Sequence, residues 1–145
     1  MSQADAIANA AIAHVIKNQF RPVAVSVIDK NGIPIVQKRM DGVSTVGIPE
    51  FALAKANSAI AMKMSSREFR DKYVAEQDPA KYCQMLAMVN ISEKQLMPCP
   101  GGVLIKSENG EILGAIGVSG AAADEDEASG LEGVKKFEEL MKPQP

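Results

Sequence analysis

The chain has 145 residues, a mass of 15.4 kDa, a net charge of −2 and a pI near 5.5. This length fits one domain of roughly 100 to 150 residues, so we predict a single domain over residues 1–145. The basic residues are scattered, which argues against the clustered positive charge that nucleic acid or an anionic membrane surface requires. We therefore expect neither nucleic acid nor a membrane as a partner.

The start of the chain and its cysteine content predict a cytoplasmic protein. The segment Met1–Asp5 lacks the basic residues that begin a secretion signal, and no apolar run approaches the roughly 18 residues of a membrane span. The two cysteines, Cys83 and Cys99, cannot form a disulfide framework. Free thiols fit a reducing compartment, so we expect the protein in the cytoplasm.

The first part of the chain predicts a helix followed by a β-hairpin. Residues 4–18 are rich in alanine, with apolar residues at helical spacing. Two apolar runs, 23–28 and 33–40, flank an Asn31-Gly32 pair that is typical of a type I′ hairpin turn. Pro34 lacks a backbone donor, so the second strand should start at an edge of the sheet or outside the ladder of hydrogen bonds.

The middle of the chain predicts two further helices. Residues 49–64 form the first of them. Asp78 and Pro79 are a typical N-cap and first residue for the other. The residues expected to face inward are Ala52, Ala56 and Ala59 in the first helix, and Tyr82, Met85, Leu86 and Val89 in the second.

The last third of the chain repeats the hairpin pattern and ends in a helix. Runs 103–107 and 111–118 flank an Asn-Gly turn, and a helix should follow from Asp124 to about Met141. Asp124 and Glu127 have the spacing of a capping box. The inward residues of this helix should be Leu131, Val134, Phe137, and Leu140 or Met141. Together these elements predict an α+β fold, in which helices cover the faces of an antiparallel sheet.

The glycine-rich segment Gly114–Gly120 leads almost directly into four acidic residues, Asp124–Glu127. A glycine-rich strand lets another backbone or a flat ligand approach closely, and the acidic cluster indicates the first turn of a helix. The spacing G-x-x-G-x-x-G differs from nucleotide-binding patterns, and carboxylates at the helix start satisfy the dipole that a phosphate would use. If the chain has a site, it should lie where these two segments meet, which we call the glycine-rich join. We predict that this segment does not bind a nucleotide.

The order of several motifs resembles that of one family. The motifs are Val25–Gly32, Arg39–Gly42, Lys55-Ala56, Pro100–Val103, Gly114–Gly120 and Asp126-Glu127. Over nearly its whole length the chain resembles the small haem-binding and haem-degrading domains called HbpS-like, GlcG-like or PduO C-terminal-like. The resemblance implies a profilin-like α/β/α domain with a five-stranded antiparallel sheet, symmetric homo-oligomers, and haem binding in some members. Such domains often carry a Gly-Arg-Pro-Thr-like stretch after the second helix, whereas this chain has Met62–Phe69, so a loop that commonly borders the ligand region is altered.

Two side chains are candidate ligands for a haem iron under this resemblance. His14 is the only histidine, and imidazole is the commonest protein ligand to haem iron, although a surface or interface histidine is the alternative interpretation. Cys99 lies in a Pro-Cys-Pro-Gly-Gly loop, which either presents a thiolate or simply forms a turn. His14 and Cys99 are therefore the candidate metal ligands.

The leading functional hypothesis is a self-associating haem-binding module that acts in haem or iron handling. The flat hydrophobic cofactor should contact Gly101, Gly102, Gly117 and Ser119, together with a neighbouring subunit. One alternative is a small-metabolite enzyme or enzyme accessory subunit without haem, and another is a structural assembly subunit. No catalytic residue can be assigned from the sequence, because Ser119 lacks the G-x-S-x-G context and the acidic residues lack a recognised nucleophile.

Overall fold

A computed structural model describes residues 2–44, 46–93 and 95–143. This part of the chain forms five helices and four strands. In chain order they are α1 (Ser2–Lys17), β1 (Ala24–Asp29), β2 (Pro34–Arg39), α2 (Ile48–Met62), α3 (Ser66–Val74), α4 (Pro79–Ile91), β3 (Gly102–Lys106), β4 (Ile112–Ser119) and α5 (Ala123–Met141). Within these residues, no helix combines the length and the hydropathy needed to span a bilayer.

The four strands form one antiparallel sheet in the order β2-β1-β4-β3. The α+β class is therefore confirmed, but the expected five strands are wrong, because the described residues supply four. The loop before β3 is held by a helix instead of pairing into the sheet: the Met97 N–H donates to Ser58 Oγ of α2 at 2.7 Å. A backbone donor satisfied in this way does not need a strand partner.

The two faces of the sheet carry different helices. On one face, α1 and α5 bury branched side chains that include Val25, Ile116 and Val118. On the other face, α2 packs against small residues such as Ala24 and Ala115. Successive strand residues point to opposite faces, so β1 and β4 contribute to both layers.

The β1–β2 turn differs from the type I′ turn that the sequence predicts. Only Gly32 has a positive φ, of 82°, whereas a type I′ turn needs a positive φ at both central residues. The Asp29 carboxylate accepts from the backbone N–H groups of Asn31 at 2.8 Å and Ile33 at 3.0 Å. These bonds stabilise a longer turn that ends in the glycine. Pro34 begins β2, which is an edge strand as predicted.

Helix α3 is absent from the sequence prediction, yet its start carries a capping box. Ser65 Oγ accepts from the Glu68 N–H at 3.1 Å, and Glu68 Oε1 accepts from the Ser65 N–H at 3.3 Å. Phe69 and Tyr73 meet edge to face, with 5.8 Å between ring centroids, and pack with Met85 of α4. Helices α3 and α4 therefore have a small apolar core of their own.

Several residues predicted to face inward are exposed. In α4, Met85 is buried, but Tyr82 and Leu86 are 49% and 48% exposed. In α5, Phe137 is buried, whereas the exposed residues are Leu131, Leu140 and Met141. These predictions are wrong because helical spacing identifies an apolar stripe but does not show whether another element covers all of it.

Candidate functional site

The glycine-rich join lies directly under helix α2. A Cβ added at Gly117 would lie 1.9 Å from the Ala52 carbonyl oxygen, and one added at Gly102 would lie 2.1 Å from the Lys55 carbonyl oxygen. Contacts this short leave no room for a side chain. The sequence left open whether a backbone or a flat ligand approaches these glycines, and in the structure the backbone of α2 occupies that place.

A buried ion pair joins α2 to the start of α5 at the same end of the sheet. Lys55 Nζ lies 3.0 Å from Asp126 Oδ2, and the two side chains are only 4% and 2% exposed. Lys55 Nζ also donates to the Val118 carbonyl at 3.1 Å, while Asp126 Oδ1 accepts from the Ala121 N–H at 3.0 Å. Burial raises the pKa of Asp126, and the neighbouring ammonium and N–H groups oppose that rise. The pair therefore fixes the turn between β4 and α5 against α2.

The capping box predicted from Asp124 and Glu127 is wrong, because both carboxylates pair with Arg67 of α3. Arg67 Nε lies 2.9 Å from Glu127 Oε1, and the Arg67 Nη2 contacts Asp124. Hydrogen bonding to this guanidinium lowers the pKa of Asp124. At the helix start it is Glu125 that reaches back, accepting from the Ala122 N–H at 3.0 Å.

Cys99 lies in the loop before β3, with a fixed main chain and a partly exposed side chain. Ser66 Oγ donates to the Cys99 carbonyl at 2.5 Å and accepts from the Gly102 N–H at 2.8 Å. Gly101 has a φ of 136°, and a Cβ added there would lie 2.4 Å from the Val118 carbonyl oxygen. The loop is therefore held between α3 and strand β4.

His14 lies apart from this loop, in the last turn of α1. Its ring is half-buried and meets Phe20 edge to face, with 5.7 Å between centroids. The Asn18 amide nitrogen lies 3.3 Å from Nδ1 and 3.5 Å from Nε2 of the imidazole. Since α1 and α2 cover opposite faces of the sheet, His14 is separated within one chain from the residues on the α2 side. That group comprises Cys99, Gly101, Gly102, Gly117 and the buried Ser119.

Two partly exposed side chains, His14 and Cys99, carry donor atoms of the kinds that ligate a haem iron. In the part of the chain that the structure describes, no three His, Cys, Asp or Glu side chains gather into a group that could hold a metal. A structural zinc ion usually needs four protein ligands, whereas a haem iron takes one or two. One imidazole, at His14, and one thiol, at Cys99, are each sufficient for haem ligation.

Comparison with known proteins identifies the family. A family model described as haem degrading protein HbpS-like matches residues 1–135. The chain therefore belongs to the HbpS-like family, and the resemblance inferred from the motif order is confirmed.

One curated protein and one solved structure are similar to the chain over most of its length. An uncharacterized 15.0 kDa protein in the dhaT-dhaS intergenic region of Citrobacter freundii is 29% identical over 119 residues, covering 82% of this chain and 78% of the relative. The crystal structure of Klebsiella pneumoniae ORFY has a TM-score of 0.81 at 23% identity, covering 94% of this chain and 88% of its own.

Two further solved structures share the fold. A PduOC:heme complex has a TM-score of 0.79 at 22% identity, covering 94% of this chain and 92% of its own. A double mutant of Streptomyces reticuli HbpS has a TM-score of 0.76 at 25% identity, covering 98% and 86%.

Proposed function

We propose that this chain is a small haem-binding module that takes part in haem or iron handling. The observation that carries the proposal is its membership of the HbpS-like family over residues 1–135, supported by the fold that it shares with the PduOC:heme complex. The side chains of His14 and Cys99 are both partly exposed, so an imidazole and a thiol are available to an iron at the surface.

His14 and Cys99 are alternative axial ligands in this proposal. The His14 ring packs edge to face against Phe20, and the Asn18 amide nitrogen lies within 3.5 Å of both ring nitrogens. The Cys99 thiol belongs to a loop whose main chain is fixed by Ser66, which limits the reorganisation needed for binding. Each ligand predicts a different absorption spectrum, because thiolate and imidazole affect the iron differently.

Haem titrations followed by absorption spectroscopy test the ligand. His14→Ala should change the Soret position if imidazole binds the iron, and Cys99→Ser should change it if the thiolate does. Cys83→Ser and Gln84→Ala, both exposed on α4, are matched controls and should leave the spectrum unchanged. If both single variants and the double variant keep the wild-type spectrum and affinity, this ligand set is wrong.

We also propose that the module self-associates through the exposed apolar face of α4. Tyr82 and Leu86 are about half exposed on this helix. Beside them, a cleft of about 290 Å³ is lined by Tyr73, Val74 and Pro79, among others. Burial of apolar surface contributes roughly 25 cal/mol per Å², so a second copy covering this face would stabilise an assembly.

Light scattering tests the self-association. The mass of the wild type should be at least twice the 15.4 kDa of one chain. Leu86→Asp should lower this mass, because a carboxylate that is buried in an interface without a partner is costly. Gln84→Asp, two positions away and on the other side of the same helix, should leave the mass unchanged. A wild-type mass equal to one chain at micromolar concentration would contradict the proposal.

A further inference from the structure

A cleft runs along the free edge of strand β3. Because β3 is the last strand in the sheet order, one of its edges has no strand partner among the described residues. The cleft has a volume of about 520 Å³ and lies between the start of α3 and the middle of α5. Its apolar wall is formed by Leu104 of β3 and by Leu131 and Val134 of α5. Small-molecule sites usually have volumes of roughly 300 to 1,000 Å³, so the cleft has a suitable size.

The backbone of Leu104 directs its polar groups toward this edge. The Val118 N–H donates to the Gly101 carbonyl, and the Gly102 N–H donates to Ser66 Oγ, so the polar groups of Gly102 point away from β4. The residues of an edge strand alternate between pairing with the neighbouring strand and pointing outward. Leu104, two positions further on, therefore also points its N–H and C=O outward. The cleft that Leu104 lines thus has a backbone donor and acceptor.

Two lysines give the cleft positive charge that is not used elsewhere. Lys63 and Lys106 line it, and neither forms an ion pair within the described residues. The other charged side chains that line the cleft have partners within the protein. Arg67 forms an ion pair with Glu127, and Glu68 accepts a hydrogen bond from the backbone N–H of the N-cap residue of α3. The cleft therefore combines an apolar wall with two free ammonium groups.

We propose that this cleft binds a small carboxylic acid with an apolar body. The carboxylate accepts hydrogen bonds from Lys63, Lys106 and the Leu104 N–H, while the apolar body covers Leu131 and Val134. Leu131 is 51% exposed in the structure, so covering it removes apolar surface from water. Both parts of the ligand are needed, because the ammonium groups select the charge and the wall selects the apolar body. The site is independent of the proposed haem ligands, since neither His14 nor Cys99 lines it.

Octanoate is a direct probe of this class of ligand. In a ¹H–¹⁵N NMR titration of the wild-type protein, octanoate should produce saturable shifts centred on Leu104, Leu131 and Lys63. Acetate lacks the apolar body and octanol lacks the charge, so each should bind on the order of tenfold more weakly. Octanoate shifts that centre on another part of the molecule, or octanol binding as tightly as octanoate, would overturn the proposal.

Substitutions test the contribution of each group. Lys63→Gln and Lys106→Gln should each raise the Kd of octanoate about two- to fivefold, which is the effect expected for a partly exposed ion contact. Leu131→Ala should also weaken binding, and its exposure means that folding should be unaffected. Lys17→Gln, an exposed lysine on α1, is the matched control and should leave the Kd unchanged. An equal effect of Lys17→Gln would mean that only general charge is measured and would contradict a specific site.

Discussion

The two faces of the sheet are stabilised in different ways. On the face covered by α1 and α5, side chains such as Val25 and Ile116 are buried against one another. On the face covered by α2, Gly117 and Ala52 bring the strand and helix backbones together. Side-chain packing distributes its free energy over many contacts, whereas a backbone approach depends on the absence of a Cβ at single positions. A substitution should therefore have a graded effect on the first face and a severe one on the second.

The two faces of the sheet also differ in whether their polar side chains are accessible to a ligand. The close approach of α2 buries Lys55 and Asp126 against each other, with all of their side-chain polar atoms satisfied. The glycine-rich join is thus a structural joint between α2, β4 and α5. The groups that remain accessible lie outside it, at His14, at the Cys99 loop and along the edge of β3.

Gly117→Val is the strongest test of the backbone contact. The new side chain would overlap the Ala52 carbonyl oxygen, so we expect a loss of about 4 kcal/mol or more in the free energy of unfolding, or no folding at all. Urea denaturation, circular dichroism and gel filtration measure this. Leu113→Val, at an exposed position of the same strand, should cost less than about 1 kcal/mol. A Gly117→Val protein identical to wild type in circular dichroism and gel filtration would remove the basis of the comparison.

Lys55→Met tests the charge buried on the α2 face. Without the ammonium group, Asp126 is a buried carboxylate with no counter-charge, which should cost about 3–5 kcal/mol at pH 7. Burial already raises the pKa of Asp126, and loss of Lys55 raises it further. A carboxyl group whose pKa is raised in the folded state contributes to stability below its unfolded pKa near 3.8. That contribution to stability is lost as the pH rises through the folded-state pKa.

The cost of Lys55→Met should therefore be smaller at pH 4 than at pH 7, as measured by denaturation at both values. Lys17→Met, at an exposed position, should change stability by less than about 0.5 kcal/mol at either pH. A cost that is the same at both pH values would show that the carboxylate does not control the effect.

Val25→Ala tests the face covered by α1 and α5, with urea denaturation as the measurement. Val25 is 1% exposed in the α1 and α5 layer, and its truncation should cost roughly 2 kcal/mol, less than either change on the α2 face. The corresponding exposed control is Ile33→Ala, since Ile33 is 60% exposed. If Val25→Ala destabilises the protein more than Gly117→Val does, the ranking of the two faces is reversed.

Arg67→Ala should have the smallest effect of this series. The guanidinium lowers the pKa of Asp124, so its contribution to stability is present above the unfolded value of 3.8 and is lost as the pH falls below it. The melting temperatures of wild type and variant should therefore converge at low pH, and also at high salt, because exposed ion pairs are screened. A difference that persists at low pH and in molar salt would assign the role of Arg67 to packing.

The hairpins and the α2 face could be predicted because their signals are local. The Asn-Gly pairs locate both turns, and small residues at helical spacing identify the face of α2. Helix α3 also has a local signal, since Ser65 and Glu68 have capping-box spacing, although the departure from the family motif indicates only an altered loop there. Lys55 lies among the alanines of the α2 face, so its burial was foreseeable from the sequence.

Other features depend on contacts between distant residues. The sequence cannot show that Asp126 is the partner of Lys55, because the two residues are 71 positions apart. For the same reason the sequence cannot show that Arg67 pairs with Asp124. Nor can it show that Tyr82 and Leu86 remain exposed on α4. For the candidate site, composition identifies His14 and Cys99 as donors. Only the fold shows that they lie on opposite sides of the sheet.

A haem titration followed at the Soret band is the most direct test of the proposed function. The purified protein should give a new Soret band that saturates at one haem per chain or per pair of chains, as expected for a specific axial ligand. The Cys83→Ser protein should give the same curve, because Cys83, on α4, is the thiol that is not a candidate ligand. If no new band develops at micromolar haem, the chain is not a haem-binding module.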